Sequence, residues 1–179
     1  MNIFAVDEHP IRAAHQMVDK HVVKMILEAG QMLSTSHRVL DGDEYYDKTK
    51  NNRRIKRWRL SDEREDKLWK ASFVGHPCTQ WTMASQMNYR WHATHALALC
   101  REYTHRYQKT HKAQSLIEYL FNREPQNIPT GKLTKFAVAM PDQYKVDCPV
   151  ESYRNYYRGE KAYFEKWKNR ETPTWGEYE

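Results

Sequence analysis

The segment from Lys20 to Thr35 constrains the fold more than any other part of this 179-residue chain. When successive residues are placed about 100° apart around a helix, all of its ionisable and amide side chains fall within one sector of about 100°. This sector, hereafter the polar strip, contains Lys20, His21, Lys24, Glu28, Gln31 and Thr35. Small and apolar residues fill the remaining circumference. An ordinary surface helix has the opposite ratio of apolar to polar surface, so we expect this helix to be buried on most sides.

The polar strip has two interpretations. In the first, Lys24 and Glu28 form an ordinary i,i+4 ion pair that reaches solvent and stabilises the helix by about 0.2–0.5 kcal/mol. In the second, the strip forms the floor of a cleft. A carboxylate held beside two lysines and a histidine in partly dry surroundings can act as a general acid or base, or stabilise a developing cation. Glu28 is therefore the first candidate catalytic residue.

Helical periodicity dominates the rest of the chain and predicts an all-α fold. We expect a single compact domain over residues 1–179, with four or five helices and long ordered loops. The predicted helices cover residues 10–40 (with a break near residue 19), 79–107, 113–121 and 150–168. Asp7 and Thr79 are the expected N-terminal caps of the first two. A short strand over residues 2–6 would need a pairing partner that the sequence does not identify.

Two long connections separate these helices. Residues 41–66 form a polar insert loop with a basic run followed by acids, and the proline-rich residues 123–149 are expected to wrap around the body. The basic run holds seven cations between residues 48 and 59. Such runs are usually solvated surface, and the acids at 62–66 could fold back on this one. The functional alternative is a phosphate-binding arm made of Arg53, Arg54, Arg57, Trp58 and Arg59.

Composition favours nucleic acid as the partner. The formal charge is +6 and 13% of the residues are aromatic; cations bind phosphates, and aromatic rings stack on unpaired bases. Three scattered cysteines argue against a disulfide-stabilised secreted protein. No apolar run approaches the ~20 residues of a membrane span, and the N-terminus lacks a signal-peptide pattern. We therefore expect a soluble, cytoplasmic and monomeric protein with no membrane partner.

Three further residues are candidate nucleic-acid contacts. His76 precedes a proline at a predicted helix start, where free backbone amides bind anions. Arg154 and Lys161 lie among the aromatic residues of the last predicted helix, although an aromatic core with a basic outer face is the simpler interpretation. The nine histidines lack the spacings typical of zinc sites. We therefore predict no metal and no other cofactor, and we assign His95 to the core.

Several patches of the sequence resemble the phage pyrimidine-dimer DNA glycosylases of the T4 endonuclease V type. Asp-Lys-His at residues 19–21, followed after six residues by Glu28, is similar to their active-site helix, where Asp-x-His precedes the catalytic glutamate at this separation. A wider group of related phage and bacterial sequences has a core similar to Lys24, Glu28 and Gln31. That group also has a helix start similar to residues 76–81, His-Pro-(three)-Trp, and both groups have an aromatic and basic tail like residues 153–157.

The resemblance implies an all-α, single-domain enzyme that needs no metal, bends damaged duplex DNA and cleaves the N-glycosidic bond. It assigns to Glu28 the stabilisation of positive charge at C1′, and a carboxylate suits an oxocarbenium-like transition state. The family's nucleophile is an α-amine exposed when the initiator methionine is removed before a small residue, whereas residue 2 here is asparagine. We therefore expect Met1 to be retained, and the nucleophile to be the Met1 amine, Lys20, Lys24 or water.

The sequence thus predicts a glycosylase acting on a damaged or modified pyrimidine in double-stranded DNA, with an AP-lyase step if an amine attacks. Glu28 is its electrostatic or acid–base group. The supporting residues are Lys24, Lys20 and His21, which position phosphate or supply the amine, and Gln31. Two alternatives stay open at this point. One is a non-catalytic module that binds nucleic acid or a host protein, and the other is a hydrolase of free nucleotides or nucleosides with a closed pocket.

Overall fold

The computed structural model describes residues 1–176, of which most are helical. Its α-helices are α1 (Pro10–Gln16), α2 (Asp19–Asp41), α3 (Arg64–Lys67), α4 (Pro77–Ala84), α5 (Gln86–Tyr107), α6 (Gln114–Phe121) and α7 (Pro149–Glu160). Short 3₁₀ turns cover Asp142–Tyr144, Ala162–Phe164 and Thr174–Gly176. The two long helices, α2 and α5, pack against each other, and the shorter α1, α4 and α6 pack around them.

The predicted all-α class is wrong, because the insert loop contains a two-stranded antiparallel sheet. Strand β1 (Asp43–Lys48) pairs with β2 (Arg54–Arg59). The protein is about 53% helical and belongs to a mixed class with mainly helices. Within residues 1–176 the sheet has no third strand.

Diagonal cross-strand pairs stabilise this hairpin. The guanidinium of Arg54 lies 3.5 Å from the centre of the Tyr46 ring, and that of Arg59 lies 4.9 Å from the centre of the Tyr45 ring. At the turn, Asn52 has a φ of 60°, which asparagine tolerates better than most residues. Every position of both strands is exposed or half-buried. The alternation of apolar and polar residues that marks a half-buried strand is therefore missing, which is why the sequence suggested a loop.

Helices α1, α2 and α6 lie close to their predicted positions. The break near residue 19 is confirmed, since Met17 and Val18 separate α1 from α2. The predicted cap Asp7 is wrong, because His9 occupies the capping position of α1 and no side chain caps this helix; Oδ1 of Asp7 instead accepts the backbone N–H of His9 at 2.8 Å, before the helix begins. The predicted helix over 113–121 is confirmed as α6.

The single helix predicted over residues 79–107 is wrong. Ser85 has an extended backbone and separates α4 from α5, and its hydroxyl accepts the N–H of Asn88 at 3.2 Å as the cap of α5. The predicted cap Thr79 is also wrong, because it lies inside α4. The side chain of His76 caps that helix instead, accepting the N–H of Cys78 at 3.2 Å.

The predicted helix over 150–168 is too long, since α7 ends at Glu160. The chain turns back there because its tail bonds to the junction of α1 and α2. The backbone N–H of Asp19 donates to the carbonyl of Lys166 at 2.8 Å, and Nε1 of Trp167 donates to the carbonyl of Gln16 at 2.9 Å. These long-range bonds replace the helical ones.

The proline-rich residues 123–149 run from the start of α5 to the N-terminus. The carbonyl of Pro129 accepts the N–H of Gln86 at 2.8 Å. Further along, the N–H of Thr134 donates to Oδ1 of Asn88 at 2.9 Å. The carbonyl of Ala139 lies beside residue 2 and accepts its side-chain amide. The segment therefore holds the N-terminal residues in place from outside.

Candidate active site around Glu28

Glu28 lies in the middle of α2 and is 8% exposed, and its carboxylate is contacted from several sides. Oε2 accepts the backbone N–H of Asn2 at 2.9 Å and lies 3.8 Å from the α-amino nitrogen of Met1. Oε1 lies 3.3 Å from Nζ of Lys24, one turn earlier, whose side chain is 68% exposed. One oxygen therefore faces the N-terminal segment and the other faces the solvent boundary. The carboxyl group is neither free in solvent nor sealed in the core.

The amine reaches Glu28 because the N-terminal segment is packed into the core. Residues 2–6 are all buried but form no strand, so the predicted strand is wrong. Asn2 shapes the turn: its Oδ1 accepts the N–H groups of Ile3 and Phe4 at 2.9 and 3.2 Å, and its Nδ2 donates to the carbonyl of Ala139 at 2.7 Å. Phe4 has a φ of 42°, a left-handed conformation that is rare for an aromatic residue. This kink prevents an extended strand.

The polar strip is not the whole exposed face of α2, contrary to the prediction. Val23 and Leu27 are exposed, whereas Glu28 and Thr35 are buried. The exposed face is therefore shifted toward Leu27 and Lys24, and Glu28 lies at its edge, where the N-terminal segment covers it. Helical periodicity does not show which segments pack against a helix. The shift of the exposed face could therefore be seen only in the tertiary structure.

His21, predicted to assist Glu28, is buried in an aromatic cluster. Its ring stacks on Phe4 with centroids 4.2 Å apart, and its Nδ1 lies 2.6 Å from the hydroxyl of Tyr157. Burial, followed by the charges of Lys161 and Lys24, lowers the pKa of His21 to about 3. The imidazole is therefore neutral at pH 7 and supports the N-terminal segment.

Lys20 and Lys161 lie on the same side of the molecule, next to His21. Nζ of Lys20 is 4.7 Å from the centre of the Phe164 ring, and Nζ of Lys161 is 6.0 Å from that centre. Arg154 is held further inside, with its Nε donating to the carbonyl of Val6 at 3.0 Å. Lys20 and Lys161 thus form a cationic rim on one side of Glu28.

The residues of the motif that resembles the pyrimidine-dimer glycosylases do not all lie at Glu28. Asp19 accepts hydrogen bonds from Arg106 at 2.8 Å and from the backbone of Lys168 at 3.0 Å, so it lies in a structural network. Gln31 lies one turn beyond Glu28 and is half-buried. Among the predicted catalytic residues, Met1 and Lys24 each contact Glu28. Lys20 and His21 lie about two turns nearer the start of α2.

His76 and Cys78 approach the same carboxylate from the start of α4. Burial and the positive amino terminus lower the pKa of His76, and Glu28 partly opposes this shift. Sγ of Cys78 lies 3.9 Å from the hydroxyl of Tyr153 and 4.0 Å from Oδ1 of Asn2. Burial raises the pKa of the Cys78 thiol to about 11. The thiol stays protonated at neutral pH and is a poor nucleophile.

The predicted phosphate-binding arginines lie on the β1–β2 hairpin. Arg53, Arg54 and Arg59 are exposed, whereas Arg57 and Trp58 are half-buried. The nearby acids are occupied by other cations: Asp62 by Arg64, Glu63 by Arg123 and Glu65 by Arg38. Among the ion pairs of the described chain, none includes these four hairpin arginines. Their charges remain available to a polyanion.

Two groups of contacts connect α2 to the hairpin and to the loop that follows α3, and sequence reasoning missed both. Arg38, at the end of α2, is buried and donates to the carbonyls of Trp58 at 3.1 Å and Trp69 at 2.7 Å. Thr35, on the polar strip, accepts the N–H of Ser72 at 3.0 Å through its hydroxyl. The only feature of the sequence that could have indicated the role of Arg38 is that it follows a run of buried residues at the end of α2. The N–H of Asn2 on Glu28 had no local signal, since 26 residues separate the two.

Comparison of the sequence with models of protein families, with curated proteins and with solved structures finds no match. The resemblance to pyrimidine-dimer glycosylases therefore stays a prediction drawn from its motifs. Over the described residues, no helix has the length and apolar character needed to cross a membrane. In the same part of the chain, His, Cys, Asp and Glu side chains form no group of three or more that could hold a metal ion.

Proposed function

We propose that this protein is a DNA N-glycosylase that releases a damaged or modified pyrimidine from double-stranded DNA, with an associated AP-lyase step. The observation that carries the proposal is the environment of Glu28, a nearly buried carboxylate with an α-amine 3.8 Å from one oxygen and a lysine amine 3.3 Å from the other. The preference for a pyrimidine is inferred from the motif resemblance. A cytoplasmic location is part of the same proposal.

The carboxylate suits the charge that glycosidic cleavage creates. Breaking the bond between C1′ and the base leaves an oxocarbenium-like sugar. A negative group held in surroundings with little water stabilises that cation more than solvent would, because it needs no reorganisation during the reaction. Glu28 meets this requirement, since the backbone N–H of Asn2 fixes Oε2 while Oε1 faces the solvent boundary.

The Met1 amine is the proposed nucleophile. Its nitrogen lies 3.8 Å from Oε2 of Glu28 in the packed N-terminal segment, whereas the Lys24 side chain is 68% exposed, so the α-amine is the better positioned of the two. Its nitrogen attacks C1′, the electron pair of the glycosidic bond leaves with the base, and the base takes a proton from solvent. The attacking nitrogen passes one proton to Glu28. Glu28 returns that proton to O4′ as the ring bond breaks and an iminium forms.

The iminium then has two fates. Hydrolysis by water restores the amine and leaves an abasic site. Loss of a proton from C2′ instead expels the 3′ phosphate and cleaves the strand. Both fates release the base, so strand cleavage is the part of the proposal that depends on the amine.

The cations around Glu28 favour a long substrate over a free nucleoside. Lys20 lies near one end of α2, and Arg38 anchors the arginine-rich hairpin at the other. Eighteen residues of helix between them span about 27 Å, which corresponds to about eight base pairs of duplex. Phosphates on both sides of the reacting sugar can therefore be bound at once.

The test is base release combined with borohydride trapping. The protein is incubated with ultraviolet-irradiated, base-modified and uracil-containing duplexes, and adducts are mapped after proteolysis. We expect an adduct on the α-amine of Met1, with intact mass establishing beforehand that this amine is free. An adduct on Lys24 would reassign the nucleophile, and base release without an adduct would assign it to water. DNA binding without base release from any duplex would contradict the proposal and support the non-catalytic alternative.

A further inference from the structure

Phe73 is an exposed aromatic residue in a strained backbone conformation. It lies between α3 and α4, is 61% exposed and has a φ of 51°. A single exposed apolar side chain is common on protein surfaces, but a bulky residue with positive φ is an outlier. Neither feature stabilises the free protein. Such an outlier is a reason to look for a function at the same position.

The backbone on both sides of Phe73 is firmly anchored. The N–H of Ser72 donates to Oγ1 of Thr35 at 3.0 Å, and the hydroxyl of Thr35 donates to the carbonyl of Ser72 at 3.1 Å. The carbonyl of Phe73 accepts the N–H of His76 at 2.9 Å. The carbonyl of Val74 accepts Nε2 of Gln80 at 2.6 Å. The ring is therefore presented to solvent by a fixed loop.

The loop lies between the arginine-rich hairpin and Glu28. On one side, Nη1 of Arg57 donates to the carbonyl of Ala71 at 3.2 Å. On the other side, Thr35 follows Glu28 by two turns of α2, or about 10 Å along its axis. Burial and the charge of the amino terminus lower the pKa of His76, three residues after Phe73, and the charge of Glu28 raises it. The loop therefore ends close to both groups. The loop that carries Phe73 thus contacts both the arginine-rich hairpin and the helix that carries Glu28.

We propose that Phe73 stacks on the bases that a lesion exposes and acts as an aromatic wedge in duplex DNA. This inference rests on the proposed function, because it takes DNA as the substrate. Every base has a π-face, so stacking on an aromatic side chain tolerates any sequence. Apolar side chains that enter a base step unstack it and kink the duplex. A wedge at this position offsets the cost of extruding a base toward Glu28.

The experiment uses a duplex with 2-aminopurine beside a tetrahydrofuran abasic analogue. The analogue has no glycosidic bond and forms no imine, so binding is separated from chemistry. We expect wild-type binding to quench 2-aminopurine, and Phe73→Ala to bind this duplex about 5- to 150-fold more weakly. Phe73→Trp should retain both effects. The salt dependence of binding should stay unchanged, because no cation is removed.

Phe121 provides the matched control, since it is an aromatic residue 40% exposed on α6. Phe121→Ala should bind the probe as the wild type does. Phe73→Gly guards against a folding artefact, because glycine relieves the left-handed strain that alanine keeps. Both Phe73 variants should lose stacking, and the glycine variant should melt a few degrees higher than the alanine variant. Equal binding by wild type and Phe73→Gly would overturn the proposal.

The wedge and the glycosylase proposals can fail separately. Glu28→Gln should keep the Phe73-dependent binding, since it changes only the reacting carboxylate. If no duplex loses a base but Phe73 still governs probe binding, the chemistry is refuted and the wedge stands. If the wild type releases a base and Phe73→Ala does so equally well with equal affinity, the wedge is refuted and the chemistry stands.

Discussion

Glu28 on α2 and Glu102 on α5 have the same spacing to a cation but different surroundings. Each is four residues from its partner, Lys24 or Arg106. Glu102 is 1% exposed and accepts Arg106 Nε at 2.6 Å and Arg170 Nη2 at 2.8 Å. Burial alone would raise the pKa of Glu102, but the hydrogen bonds from Arg170 and Arg106 bring it below its ordinary value.

The partner of Glu102 is fully buried and is held by several other acceptors. Arg106 also donates to the carbonyls of Met17 and His15 and to Oδ1 of Asp19, at 2.8 to 2.9 Å. Lys24, in contrast, is largely exposed and can move toward a substrate. The i,i+4 spacing therefore does not distinguish a structural ion pair from a reactive carboxylate. The surroundings distinguish them, through the number of fixed donors and the access of solvent.

The largest expected effect is the loss of activity in Glu28→Gln. The amide can still accept the N–H of Asn2 and should preserve the fold, but it lacks the charge that we propose stabilises the sugar cation. We expect base release to fall about 10³-fold, equivalent to about 4 kcal/mol. Single-turnover rates on the preferred duplex measure this. Glu8→Gln, at an exposed position, is the control. Similar losses of base-release rate in both variants would show that Glu28 has no special role.

Glu102→Gln should reduce the stability of the protein and leave its activity intact, the reverse of Glu28→Gln. The change leaves Arg106 buried without a full counter-charge, which costs about 3 kcal/mol or more of the free energy of unfolding. Activity per folded molecule should be unchanged. Urea titration gives the stability, and active-site titration by trapping gives the folded fraction. A variant as stable as the wild type would show that the network on α5 is not structural.

The hairpin arginines should change the salt dependence of DNA binding. Replacing Arg53 and Arg54 by glutamine should make the slope of log K against log salt shallower by about 0.9 for each phosphate that is no longer neutralised. At ~0.1 M salt each such phosphate corresponds to about an eightfold decrease in affinity. Arg101→Gln with Lys109→Gln, at exposed positions on and after α5, serves as the control of equal charge. Equal slopes for the two double variants would exclude a specific role of the hairpin.

The smallest expected effect is a pH dependence that separates the two regions. The pKa of His21 is lowered to about 3, so the unfolded chain binds its proton first. Stability is then lost as pH falls below about 6.5, by about 1.4 kcal/mol per unit. The pKa of Glu102 is also lowered, and its contribution is lost only below its ordinary 4.5.

His21→Phe tests this assignment. Between pH 6.5 and 5.5 the variant should lose about 1 kcal/mol less stability than the wild type, because the unfolded histidine is already half protonated at pH 6.5, and between pH 5.5 and 4.5 it should lose about 1.3 kcal/mol less. Urea titration at several pH values measures both windows. An identical pH profile in the variant would show that His21 is not the neutral buried group proposed.

Much of the helical framework and the pairing of Lys24 with Glu28 could be predicted, because both depend on residues within a few turns. The buried faces of α2 follow from its periodicity, and α6 follows from its short apolar pattern. The hairpin could not be predicted from alternation, since its strands expose both faces and depend on Arg54 and Arg59 stacking on tyrosines. Ser85 and the bonds made by the C-terminal tail likewise end helices that local propensity would continue.

By itself, the sequence determined that the helical segment over residues 20–35 carries a single acid beside two lysines, and that the chain as a whole is basic and aromatic. Helical geometry is local, with about 3.6 residues per turn, so these features need no knowledge of the chain's path. Only the tertiary structure decided that the amine of Met1 and the N–H of Asn2 meet Glu28, that Glu102 is sealed, and that Phe73 is exposed beside the arginine-rich hairpin. Each of these depends on segments distant in sequence, whose positions are set by the packing of the whole core.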